Sequence, residues 1–238
     1  MNLLIDMGNS RIKWQLRMAG RLCESGVESY ENGFAWLSRG KSSVVRVLVS
    51  CVAADERRQS LVEALSERGM PEPEFAAASP EAAGVRCGYR DYRSLGVDRW
   101  LALLAVKNRG LGPWVIVDSG TALTVDLLDQ GGEHLGGYIA PGVSLMRCAL
   151  AGQSAALGAA LSREAFRLGE EAGEDTRGAI DHAIFVMGQS LIERAMARFE
   201  GASLVLTGGD AGVWLEAFPA AQVVDGLVFD GLERCFRG

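Results

Sequence analysis

The sequence predicts an α/β chain built from two similar halves facing one cleft. Three observations carry this. An apolar strand that ends in an acid and a small-residue turn occurs twice, as LLIDMGNSRIKWQL (3–16) and WVIVDSGTALTVDLL (114–128), with Asp6 and Asp118 112 residues apart. Helical periodicity follows each copy. The 238 residues are enough for one large domain or two small ones with a real core.

In chain order, NLLID (2–6) and RIKWQLRM (11–18) read as two strands joined by the MGNS turn. VVRVLVS (44–50) is a β-branched buried strand, and ADERRQSLVEALSERG (54–69) a helix that stops at Gly69. PEPEFAAASP (71–80), bounded by prolines, reads as an irregular connection, and VDRWLALLAVKNR (97–109) as an apolar-faced helix ended by GLGP. After the second turn, HLGGYIAPG (134–142) is a strand leading into a helix from Val143, and residues 177–199 form a long helix. SLVLTGGDA (203–211) is an apolar strand opening into Gly-Gly-Asp, with short helices around 212–218 and 226–236. The boundary falls near 110–113, giving domains 1–110 and 111–238.

Composition narrows the function. A 48% hydrophobic and 23% charged chain is ordinary for a globular protein, and no run reaches the roughly 18–20 apolar residues of a membrane span. The N-terminus enters a strand without a basic region or cleavage site, so a cytoplasmic location is expected. Five scattered cysteines without CxxC spacing, and the isolated His134 and His182, make no zinc pattern and read as free thiols and structural or surface histidines. The formal charge of −6 argues against a nucleic-acid partner. A nucleotide remains possible where local cations and N–H groups offset that charge.

The two glycine turns offer such groups. Gly8 lets backbone N–H groups approach an anion, Asn9 and Ser10 add side-chain donors, and Lys13 adds a point charge. Bare phosphate would repel Asp6, whose natural partner is a hydrated Mg²⁺. Gly120 and Thr121 repeat the arrangement beside Asp118. A plain hairpin explains either turn alone; two in register with an internal repeat point to phosphates. Gly208 and Gly209 would let an adenine or ribose lie against the backbone, with Asp210 capping the next helix. In GYRDYRSLGVDRW (88–100), Asp98 and Arg99 fall at a helix start after Gly96, suited to a general base and a carboxylate partner, or simply to a helix N-terminus. EEAGED (170–175) is a solvated acidic loop. No GxSxG, GxxxxGKS or HExxH motif is present.

Together, DMGNSRIKW (6–14), GVDRW (96–100), DSGTALTVD (118–126), GGYIAPG (136–142) and TGGDA (207–211) resemble the type III pantothenate kinases, within the acetate and sugar kinase, Hsp70 and actin superfamily. The resemblance implies two actin-like (ribonuclease H-like) domains facing a central nucleotide cleft, in a homodimer that phosphorylates pantothenate with ATP. It makes Asp6, Met7, Gly8, Asn9, Ser10, Arg11, Ile12 and Lys13 the first phosphate segment, with Asp6 holding Mg²⁺ through water. It makes Asp98 the proton acceptor, and Tyr89, Gly96, Val97, Arg99 and Thr176 substrate contacts. Asp118 matches the acid that holds a monovalent cation, K⁺ or NH₄⁺, and Thr121 an ATP contact. The alternatives are another small-molecule kinase of the superfamily and a non-catalytic regulator that keeps the fold.

Overall fold

The computed structural model describes residues 1–38, 43–110, 112–161, 165–169 and 171–236. Leu111 at the predicted boundary and Glu170 of the acidic stretch therefore lie outside the described residues. The chain divides into two compact units, Met1–Gly110 together with Gly226–Gly238, and Leu111–Asp225.

The first unit is a five-stranded sheet of β1 (Asn2–Met7), β2 (Arg11–Met18), β3 (Arg21–Ser29), β4 (Arg46–Cys51) and β5 (Pro73–Phe75), in the order β3-β2-β1-β4-β5. β1 and β4 are central, pair in parallel, and read as near-continuous apolar runs because both faces are covered. On one face Leu3, Ile5, Met7, Val47 and Val49 pack with Leu61 and Leu65 of α1 (Asp55–Ser66). There Trp14 and Trp36 stack at 5.4 Å. The period of two places Leu4 and Asp6 on the opposite face. That face meets α2 (Val97–Lys107) and α6 (Leu227–Cys235), which pack on each other and on β4. A short hairpin of β6 (Glu81–Ala82) and β7 (Val85–Arg86) precedes α2.

The second unit repeats the plan. β8 (Trp114–Ser119), β9 (Ala122–Leu128), β10 (His134–Pro141), β11 (Ser203–Thr207) and β12 (Gln222–Val223) take the order β10-β9-β8-β11-β12. As in the first sheet, the first two pairings are antiparallel and the last two parallel. α3 (Val143–Ala151), α4 (Ala155–Leu161) and α5 (Thr176–Met196) complete it. Its core joins Val115, Val117 and Val125 to Ile184, Phe185 and Ile192 of α5 and to Trp214. Gly188 lets that indole touch the helix: a Cβ there would lie 2.2 Å from the ring.

Three elements differ from the sequence reading. β3 was not expected, because its side chains are mostly exposed and show no apolar alternation; its pairing to β2 comes from the ladder alone. Within the proline-bounded 71–80, Pro73–Phe75 forms an edge strand, tolerated because Pro73 is its first residue. The largest difference is the C-terminal helix, assigned by sequence to residues 111–238, which packs with the first unit. Its apolar residues Leu227, Val228, Phe229 and Leu232 are buried there. On its polar side Arg17 of β2 donates to Asp230 at 2.9 Å and Glu233 at 3.0 Å, and Arg109 donates to Asp230 at 2.8 Å.

The α2–α6 approach depends on Gly231, where a Cβ would lie 1.9 Å from the Leu101 carbonyl oxygen. Gly231→Ala is expected to cost about 1–3 kcal/mol of stability by overpacking, read as a thermal midpoint several degrees lower. Gly212→Ala, with nothing within 4 Å of the added methyl, serves as the unaffected control.

Candidate active site

In the first unit, Asp6 and Lys13 are direct partners in the β1–β2 ladder, so both side chains stand on one face of the sheet, beside the turn. The turn closes with the Gly8 amide donating to the Arg11 carbonyl at 3.1 Å. Asn9, Ser10, Arg11 and Lys13 are exposed, and Asp6 is half-buried. Met7 and Ile12, by contrast, are fully buried in the α1-side core, so only their backbone is available to a ligand. Two side chains that no motif marked hold the turn from behind. Tyr30 donates its hydroxyl to the Gly8 carbonyl at 2.7 Å, and Arg57 donates to the Asn9 carbonyl at 2.5 Å. Neither leaves a local signal, since both come from elements distant in sequence.

The predicted acceptor segment also lies in the first unit. Gly96 is the N-cap of α2, and Asp98 sits in its first turn, where the helix dipole favours a carboxylate. Asp98 Oδ1 accepts from the Arg99 amide at 2.8 Å. A Cβ on Gly96 would come within 2.6 Å of that oxygen, so glycine is what lets the carboxylate fold over the helix end. Arg99 is only 6% exposed, and its Nη1 donates to the Tyr89 hydroxyl at 2.7 Å. The structure thus brings Tyr89, Gly96, Asp98 and Arg99 together, while Val97 is buried.

In the second unit, Asp118 is half-buried at the end of β8, paired with Thr124 on one side and Thr207 on the other. Gly208 (φ +93°) passes so close that a Cβ would lie 2.4 Å from Asp118 Oδ1 and 2.3 Å from the Ser119 carbonyl. Gly142, before α3, donates to the Thr121 carbonyl at 3.0 Å, and a Cβ there would strike the Gly120 carbonyl at 2.0 Å. Thr121 and Gly209 are exposed. Asp210 is not the cap the sequence suggested: its side chain makes no cap bond to the short turn Ala211–Trp214, and its amide instead donates to the Ser119 carbonyl at 2.9 Å.

Thr176 is exposed at the first position of α5. Asp175 caps that helix, accepting from the Gly178 amide at 2.6 Å and from Arg167 at 2.8 Å. The amide bond first, then the guanidinium, hold the Asp175 carboxyl below its ordinary range. The depressed value means the cap stabilises the helix start above the ordinary carboxylate pKa and is lost as pH falls through the lowered one. Below it, fully buried Asp181 lies 3.0 Å from Arg147 and accepts from the Arg167 amide at 3.1 Å. His134 is buried and structural, 2.9 Å from Asp126, and His182 contacts the Glu171 carbonyl.

The donor sets can be tested against the ions the resemblance implies. Among the described residues there is no cluster of three or more His, Cys, Asp and Glu that could hold a metal. That suits Mg²⁺, which keeps several waters and needs one or two carboxylates plus substrate phosphates. Ser50 pairs with Asp6 on the same face; its hydroxyl is fully buried and makes no hydrogen bond among the described residues, so it adds an oxygen on that side. At Asp118, the carboxylate oxygen and the Ser119 carbonyl oxygen both lie beside Gly208, hard oxygen donors of the kind a cation takes. Both sets fit.

A family model described as type III pantothenate kinase matches residues 2–198. The chain belongs to the type III pantothenate kinase family. Relatives bearing that name from Marinobacter nauticus and Ectopseudomonas mendocina are 37% and 38% identical, over 98% of this chain and 97% of each relative. As a member of a kinase family acting on pantothenate, the chain has ATP and pantothenate as its substrates. Among solved structures, a Campylobacter jejuni protein assigned to the Baf family has a TM-score of 0.67 at 20% identity, covering 99% of this chain and 97% of that one. MreB 5 of Spiroplasma citri bound to AMPPNP has 0.51 at 9% identity, covering 98% and 94%. These likenesses show the two-domain actin-like fold. No helix among the described residues is long and apolar enough to cross a membrane.

Gly208→Ala combines a left-handed backbone angle with a clash against Asp118. By the usual cost of overpacking, about 1–3 kcal/mol, the thermal midpoint is expected to fall by several degrees.

Proposed function

We propose that this type III pantothenate kinase transfers the γ-phosphoryl group of ATP to the primary hydroxyl of pantothenate, the first step of coenzyme A synthesis, with Asp98 as the proton acceptor. The observation that carries the reading is the Tyr89–Arg99–Asp98 arrangement at the start of α2. It offers a carboxylate at a helix N-terminus and, beside it, a buried guanidinium that holds a phenol in place.

Asp98 accepts the hydroxyl proton as the new P–O bond forms. Arg99 and Tyr89 orient the acceptor, Arg99 facing its carboxylate. Gly96 and Val97 contribute backbone, and Thr176 is a further substrate contact. The turn of Gly8, Asn9 and Ser10 gives donors to the phosphates, with Lys13 as a point charge and Asp6 as the residue that would hold Mg²⁺. When bound, Mg²⁺ would supply positive charge against the phosphates. Asp118 would hold K⁺ or NH₄⁺, and Gly120, Thr121, Gly208 and Gly209 contact the nucleotide. Positioning and electrostatic stabilisation supply most of the rate, as phosphoryl transfer requires little covalent help. The enzyme works in the cytoplasm as a homodimer. Supporting the dimer is the edge strand β10, whose outer residues Leu135 and Ile139 are 48% and 65% exposed.

Asp98→Asn keeps the shape and removes the base. It should lower kcat by about 10²–10⁴-fold with little change in either KM; a variant with near-wild-type kcat would remove Asp98 from the role. ADP release from Mg·ATP, measured on adding pantothenate in K⁺ and again in Na⁺ alone, tests the cation. Release that depends on K⁺ supports Asp118 as its ligand, and equal release in both salts discards that site while keeping the kinase.

A further inference from the structure

We infer that Tyr30 and Arg57 are positioning residues that aim the amide N–H groups of Asn9 and Ser10 at the phosphates of the nucleotide. The inference rests on the reading of Gly8–Ser10 as the phosphate turn and adds two residues outside every motif of the site.

A peptide unit is planar and trans, so the carbonyl of one residue and the N–H of the next point in opposite directions. Tyr30 takes the Gly8 carbonyl at 2.7 Å. That fixes the plane between residues 8 and 9 and turns the Asn9 N–H to the side away from Tyr30. Arg57 takes the Asn9 carbonyl at 2.5 Å and does the same for the next plane, turning the Ser10 N–H away from Arg57. Both carbonyls, whose oxygens would repel a phosphate, are thereby drawn behind the turn. Both N–H groups face forward. A short turn without such ties can exchange between type I and type II geometry, which differ in the orientation of the central peptide. One of the two presents an oxygen where a donor is needed.

The two side chains also hold each other. The Arg57 guanidinium carbon lies 3.9 Å from the centroid of the Tyr30 ring, within cation–π range. Tyr30 begins the short turn Tyr30–Asn32 after β3, and Arg57 lies in the first turn of α1. The clamp is therefore built from elements outside the β1–β2 hairpin it restrains. Burial pushes the Tyr30 hydroxyl above its ordinary range, against the opposing pull of the Arg57 charge, so it keeps its proton throughout the neutral range.

The test measures the calorimetric Kd for Mg·ATP, and steady-state kcat and KM for both substrates, in Tyr30→Phe, Arg57→Lys and Tyr30→Phe/Arg57→Leu. Tyr30→Phe keeps the ring under Arg57 and removes only the donor, which makes it the mildest change to folding. ATP binding is expected to weaken about threefold to tenfold in Tyr30→Phe and further in the double variant. KM for pantothenate should stay at the wild-type value. Arg57→Lys, which retains a donor and a charge, should bind Mg·ATP close to the wild-type affinity. Unchanged ATP affinity in the double variant, or an equal rise in KM for both substrates, would overturn the inference. Failure of the kinase reading is separately visible, since the wild-type protein would then show no pantothenate-dependent ADP release.

Discussion

Everything in this protein depends on one constraint: a carboxylate must stand at the end of a buried central strand and beside a tight turn. β1 is flanked by β2 and β4 and covered on both faces, so its backbone has no freedom to relocate Asp6. Breaking either ladder would leave buried N–H and C=O groups unpaired. β8 holds Asp118 in the same way between β9 and β11. The rigidity that the sheets need for stability is also what fixes the position of the two acids.

The same constraint explains the distribution of close-approach glycines. Gly142 and Gly208 lie where backbone passes within contact distance of the β8–β9 turn or its acid, and Gly96 makes room for the Asp98 carboxylate. At Gly142 and Gly208 a methyl group would strike a backbone carbonyl, while at Gly96 it would press on the Asp98 carboxylate. Where the backbone itself lacks a rigid partner, as in the Gly8–Ser10 turn, side chains from neighbouring elements supply one.

The C-terminal helix shows how the chain secures the first unit after building the second. α6 contributes an apolar side to the face shared with α2, and its acids receive Arg17 and Arg109. Arg17 and Glu233 are 8% and 9% exposed, so removing the arginine would strand the Glu233 carboxylate in a nearly dry place.

The sequence by itself determined the repeated strand–turn–strand unit, because buried central strands must be apolar and tight turns must be small and polar. It also picked out the Gly96–Arg99 segment, because these residues are neighbours in the chain and a helix start joins them. Only the tertiary structure decided what depends on meetings between distant residues. β3 has no apolar face and exists through its pairing with β2. α6 reads as a helix in sequence, but nothing local says which unit will bury it. Asp210 stands at the N-cap of a short helical turn, yet its side chain makes no cap bond, and nothing local says that its amide will join β8. Tyr30 and Arg57 reach the turn only because a third strand and a helix bring them there. Local pattern encodes what a segment can be; a contact's partner is chosen by packing, which no single stretch of sequence contains.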